Sequence, residues 1–143
     1  ILFDMNELFE EYVYQSLRRA APPGMEVRRQ VPRLFWESRR IKPDIVIRWQ
    51  DRTVVLDTKW KVINSHQPAD SDLKQMYVYH RYFDAPRTIL LYPQVYPLEP
   101  KRGWFRKEAD LACEIGFVKV LDENRRLNRS VGEEIVKGYL LEG

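Results

Sequence analysis

The chain has 143 residues, of which 44% are hydrophobic and 31% charged, with a net charge of +3. That length fits one domain with a real core, and that apolar share argues against disorder. A single cysteine, Cys113, excludes an internal disulfide or a multi-cysteine zinc site, and no apolar run approaches a membrane span.

The cations are mostly arginine, sixteen against eight lysines. They recur as the basic doublets Arg18-Arg19, Arg28-Arg29, Arg39-Arg40, Lys101-Arg102, Arg106-Lys107 and Arg125-Arg126. Arginine suits bidentate phosphate contact, so the pattern is compatible with nucleic acid, although a solvated ionic surface explains charge alone equally well. With one cysteine and no signal peptide, a cytoplasmic location is expected. The chain opens on Ile1 in a helix-like stretch, as expected of a piece of a longer polypeptide.

Asp4 to Ala20 reads as an amphipathic helix with Leu8, Phe9, Tyr12, Val13 and Leu17 on its apolar stripe. Asp4 is its N-cap and Glu7 gives a capping-box-like start, while Ala21-Pro22-Pro23-Gly24 stops it. Glu10 lies close to the stripe. It is either an edge carboxylate in water or a third acid turned inward, and Glu7 and Glu11 compete for that place. Glu26 to Val31 alternates as an edge strand does, and residues 32–42 read as irregular and basic.

Pro43 starts a strand whose core is Ile45, Val46 and Ile47. Gln50-Asp51-Arg52 reads as a tight turn, and Thr53 to Trp60 as the returning strand. The hairpin brings Asp44 and Asp57 to the same end. Side chains alternate along a strand, so Asp57 and Lys59 share a face. A polar loop follows from Asn64 to Ser71, and then a helix from Asp72 to Phe83, capped from within Asp70-Ser71-Asp72, with Gln75 and Tyr79 on one face. Thr88 to Tyr92 is a buried strand, Tyr92 to Pro100 an extended connection, Ala112 to Leu121 a strand and Asn124 to Arg129 a turn. Val131 to Leu141 is a final helix capped by Ser130 or Asn128. The order predicts an α/β fold, a mixed sheet flanked by helices.

Two carboxylates are enough to hold a hard cation such as Mg²⁺ together with water and phosphate oxygens. Asp44 and Asp57 meet that need, and the Thr58 carbonyl is placed to be a further ligand. Glu10 could complete the shell or hold a second metal. Lys59 can orient or help deprotonate a water, or stabilise developing charge, with Gln75 and Tyr79 positioning it or a phosphate. Alone, a Pro-Asp is usually a turn and an Asp-x-Lys on a strand is usually a cross-strand ion pair. The combination at hairpin distance is more specific.

Pro43-Asp44 followed by Asp57-Thr58-Lys59 resembles the motif of the PD-(D/E)xK nuclease superfamily. The stretches Phe3 to Val13, Leu56 to Lys61, Asp72 to Tyr79 and Leu90 to Pro93 resemble the nuclease domain of the McrC family, over about residues 3–95. The resemblance implies a restriction-endonuclease-like core over residues 1–143. It also implies cleavage of double-stranded DNA with Mg²⁺, for which Mn²⁺ can substitute. It carries over Asp44 and Asp57 as metal ligands, Lys59 as the catalytic lysine, Glu10 as the first-helix acid, and Gln75 and Tyr79 as the Gln-x-x-x-Tyr helix motif. As partner it implies an AAA+ GTPase motor of the McrB type that recognises modified cytosine. Two other readings stand beside it: a non-catalytic nucleic-acid-binding domain of the same fold, and a nuclease of repair type.

Overall fold

The computed structural model of the chain describes residues 4–141. Ile1 and Phe3, on which parts of the sequence reading rest, lie outside them. Helix α1 runs Met5–Ala20, and the Asp4 carboxylate accepts the Asn6 and Glu7 amides at 3.0 and 3.4 Å, satisfying two of the donors a helix start leaves unpaired. Its buried side is Phe9, Glu10, Val13, Ser16 and Leu17. Leu8, counted above in the stripe, is exposed, because the inward face is centred one position further round.

Strand β1 (Glu26–Arg29) is followed by a short pair, β2 (Arg33–Trp36) and β3 (Arg39–Ile41). Residues 32–42 are therefore a hairpin rather than irregular chain. Every residue of β2 is exposed, so no buried alternation marks the strand in the sequence. Strands β4 (Ile45–Trp49) and β5 (Arg52–Thr58) form the central hairpin. Gln50 and Asp51, both with positive φ (51° and 62°), make the two-residue turn whose twist suits such a hairpin. Strand β5 stops at Thr58, two residues short of the predicted end, and Trp60 turns instead onto Phe9, with ring centroids 5.2 Å apart.

Helix α2 (Asp70–Tyr82) starts two residues earlier than predicted and has no side-chain cap, because its N-cap residue is Ala69, which carries no acceptor. Strand β6 (Arg87–Pro93) then returns parallel to β5. Strand β7 (Lys101–Phe105), an exposed edge strand that the sequence reading missed, forms a hairpin with β8 (Glu108–Val118). The chain ends in α3 (Val131–Ile135), which continues as a π-helical turn over Val136–Leu140. The Leu141 amide donates to the Val136 carbonyl across five residues at 2.9 Å. The predicted side-chain cap from Ser130 is absent, and Asn128 Oδ1 instead accepts the Ser130 amide at 3.0 Å.

The six-stranded sheet has the order β1-β4-β5-β6-β8-β7, with β5-β6 and β6-β8 parallel and the other pairs antiparallel. Alternation along the central strands divides the core in two. Ile45, Ile47, Leu56, Ile89 and Leu91 pack with α1 and α3, while Val46, Val55, Leu90 and Tyr92 pack with α2. The α/β sandwich agrees with the fold class expected. Among the described residues no helix is long and apolar enough to cross a membrane.

The α1–α3 contact depends on Gly132, where an added Cβ would lie 2.0 Å from the Ser16 carbonyl oxygen. Gly132→Ala should therefore cost about 2–3 kcal/mol and lower Tm by several degrees. Gly138, with nothing within 4 Å of such an atom, is the control, and Gly138→Ala should be neutral or stabilising. Equal melting curves for the two variants would contradict this account of the helix contact.

Candidate active site

The β4–β5 register pairs Ile45 with Leu56, so the next step outward sets Asp44 opposite Asp57. Two backbone bonds fix the pair. The Asp44 amide donates to Asp57 Oδ1 at 3.0 Å, and the Thr58 amide donates to Asp44 Oδ2 at 2.8 Å. The Thr58 hydroxyl adds a third bond to Asp44 Oδ2, also at 2.8 Å. A strand residue turns its N–H and C=O to the same edge, so the Thr58 carbonyl faces the Asp44 side as well.

Lys59 has left the strand but continues the ladder through its amide, which donates to the Leu91 carbonyl at 2.9 Å. Its Nζ lies 3.0 Å from Asp57 Oδ2 and 3.4 Å from Asp72 Oδ1, and donates to Gln75 Oε1 at 2.9 Å. Gln75 Nε2 in turn donates to the Tyr79 hydroxyl at 3.0 Å. The structure thus strings Asp44, Asp57, Lys59, Gln75 and Tyr79 into one connected network on the α2 face of the sheet. Asp72 was read above only as a possible helix cap. It is a central member of the network, 7% exposed, bridging Lys59 and Lys61. Tyr92, fully buried, has a hydroxyl with no hydrogen-bond partner.

Glu10 resolves differently. It is the inward acid of α1, 7% exposed, whereas Glu7 is exposed and Glu11 half-buried. Its Oε2 accepts from Arg29 Nε at 2.7 Å and from Gln30 Nε2 at 2.8 Å. Among the described residues no group of three or more His, Cys, Asp or Glu side chains is arranged to hold a metal ion. Glu10 therefore stands beside the aspartate pair rather than joining it in one ligand cluster, because Arg29 and Gln30 hold its carboxylate. Gln30, at φ 52°, links the two, since its own amide donates to the Asp44 carbonyl at 2.8 Å.

Burial sets the protonation of the site. It pushes Asp44 up to about 7, with the neighbouring Asp57 charge adding to the effect. Asp57 is raised as well, by burial, although Lys59 opposes the shift. Burial also works against the charge on Lys59, but Asp57 and Asp72 outweigh it and the ammonium is held more firmly than usual. Tyr79 is raised by burial and then by Asp57 and Asp44, so it remains a neutral phenol. Two crowded acids and a cation that does not give up its proton form a centre suited to receiving positive charge from solvent and to stabilising negative charge on a ligand.

A cavity of about 720 Å³ is lined by Trp60, Pro93, Tyr96, Lys119 and Leu121 among others. It contains none of the acids.

A comparison with curated proteins gives no match. A chain in the structure described as a refined half-complex from a tetradecameric assembly of Thermococcus gammatolerans McrB AAA+ hexamers with bound McrC is similar to this one. The TM-score is 0.73 at 22% identity, over 96% of this chain and 33% of that one. At that identity the likeness speaks for the fold, and this chain spans about a third of the length of its neighbour. The family model for the McrBC 5-methylcytosine restriction system component matches residues 1–93, the stretch that carries the whole Asp44–Tyr79 network. The chain belongs to the McrBC 5-methylcytosine restriction system component family.

Proposed function

We propose that residues 1–143 form the nuclease domain of a McrC-type subunit, a metal-dependent endonuclease that cuts double-stranded DNA within a restriction complex. The observation that carries the reading is the backbone-clasped pair Asp44 and Asp57 with the Lys59 ammonium 3.0 Å from Asp57. The partner in this reading is an AAA+ GTPase motor of the McrB type, which supplies recognition of modified cytosine.

The residues fit a hard cation. Asp44 and Asp57 are buried carboxylates whose ionisation is disfavoured until a positive charge arrives, and the Thr58 carbonyl is a third oxygen on the same side. Mg²⁺, or Mn²⁺ in its place, would supply Lewis-acid polarisation of the phosphate and a water of lowered pKa. Lys59 enters as a charge, not as a base, because its pKa is raised. It stabilises the oxyanion that develops on the phosphate and fixes the attacking water by hydrogen bonding. Gln75 accepts from the lysine ammonium and helps hold it beside Asp57, and Tyr79 orients the Gln75 amide. Glu10 contributes a nearby negative charge that Arg29 partly offsets. A non-catalytic DNA-binding role would leave the cost of burying Asp44 beside Asp57 without a use.

Cleavage by the full chain assembled with its motor tests this. Asp57→Ala and Lys59→Ala should each lower the Mg²⁺-dependent rate by about a hundredfold or more while leaving the fold intact, and Gln75→Ala should cost about tenfold. Undiminished cutting by Lys59→Ala would sink the assignment.

Stability should report the same site. A raised carboxyl stabilises the fold while it is protonated, so the contribution of Asp44 is complete below the ordinary carboxylate range and is lost as pH rises through about 7. In chelator the wild type should melt at progressively lower temperature as pH rises from about 5 to 8, by an amount equivalent to a few kcal/mol, relative to Asp44→Asn. Mg²⁺ should recover the loss at the alkaline end in the wild type alone. Parallel pH curves for the two proteins, indifferent to Mg²⁺, would remove the support this site gives to a metal.

A further inference from the structure

The β2–β3 hairpin stands apart from the main sheet and is built in an unusual way. Its inner side rests on the end of α2, with the Arg33 guanidinium 4.8 Å from the Phe83 ring centre and the Phe35 ring 5.4 Å from that of Tyr82. The Tyr82 hydroxyl donates to the Phe35 carbonyl at 3.2 Å. Leu34 and Trp36 are 61% and 62% exposed. The register sets Arg40 opposite Leu34, and Arg39 opposite Trp36. With the bulge between Leu34 and Trp36, the hairpin presents an exposed indole and an exposed leucine together with two exposed guanidiniums.

The charge is one-sided. From Arg33 to Lys42 there are four cations and one acid, Glu37. Among the described residues Arg33, Arg39, Arg40 and Lys42 make no salt bridge, whereas the neighbouring Arg28 and Arg29 are paired to Glu26, Glu10 and Glu11. The returning strand ends at Ile41, three residues before Asp44. A two-residue link, Lys42-Pro43, thus joins the base of the hairpin to Asp44.

Resting on the nuclease reading above, we infer that this hairpin is the arm by which the chain grips duplex DNA next to the bond to be cut. Arg39, Arg40 and Lys42 contact phosphates, while Trp36 and Leu34 press into the groove. Unpaired arginines answer a polyanion, and apolar residues between them are what a groove-entering wedge requires. A second copy of the chain is a poor occupant, since a two-fold contact through this face would set arginine against arginine.

The test uses the full chain with a labelled duplex, without divalent cation so that nothing is cut, and anisotropy measured across a salt series. Arg39→Ala/Arg40→Ala should weaken binding about tenfold and reduce the slope of log affinity against log salt by about two. Trp36→Ala should weaken binding with the slope unchanged, and Arg39→Lys/Arg40→Lys should keep the slope. Unaltered melting curves would show that the variants fold. An unmoved affinity and slope in the double alanine variant overturns the proposal. So does a loss of affinity that comes with a change in sedimentation, which would mark the face as a contact between copies. Cleavage by the wild type in Mg²⁺, measured separately, distinguishes this test from that of the site. If the arm variants lose binding but the wild type never cuts, the nuclease reading fails and the arm stands. If the wild type cuts and the arm variants bind normally, only the arm fails.

Discussion

The site depends on a reciprocal clasp at the open end of the β4–β5 hairpin. Past the last regular pair, the strands continue to exchange hydrogen bonds, but through side chains. The Asp44 amide binds the Asp57 carboxylate and the Thr58 amide binds the Asp44 carboxylate. Each acid thereby closes the backbone of the other strand. The hairpin cannot fray without separating the acids, and the acids cannot rotate without opening the hairpin. Two like charges that would repel in isolation are held together by donors that the sheet would otherwise leave unpaired.

Around the clasp, charge is balanced in layers. Asp57 and Asp72 flank the Lys59 ammonium, and Asp72 also takes Lys61. Gln75 and Tyr79 extend the network into the helix with neutral groups, so it ends without another buried ion. On the other side Arg29 and Gln30 do the same for Glu10. Buried ions are tolerable when each is matched in this way, and Asp44 is left short of positive charge.

Much of this was legible in the sequence because it is local. Asp44 and Asp57 meet through a single tight turn, and Asp57 and Lys59 share a face through the period of a strand. Gln75 and Tyr79 lie one helical turn apart. None of these relations needs knowledge of the whole fold. What escaped is long-range or carries no periodic signal. Asp72 has the composition and place of a helix cap, and only the loop from Lys61 to Ala69 turns it toward two lysines. The β2–β3 hairpin and β7 are exposed throughout or nearly so, so hydrophobic alternation cannot mark them. The facing of Glu10 was open in the sequence because Phe9 and Val13 fix the helix rotation more narrowly than Leu8 and Tyr12 suggested. Even with the rotation known, its engagement by Gln30 needs a left-handed residue that nothing in the local sequence announces.

The parallel pairing of β6 with β8 has a temporal consequence. Asp44, Asp57 and Lys59 all lie before residue 60, but the strand beside β5 is itself flanked by β8, and α1 is covered by α3 from beyond residue 130. As the chain leaves the ribosome, β4 and β5 emerge with one sheet edge and one face of α1 still bare; β6 covers the edge from Arg87 on, and α3 covers the helix face only from Val131 on. Such distant pairings form late. The hairpin that carries Asp44 and Asp57 therefore has a complete helical layer in place on both sides of the sheet only once α3 has been made.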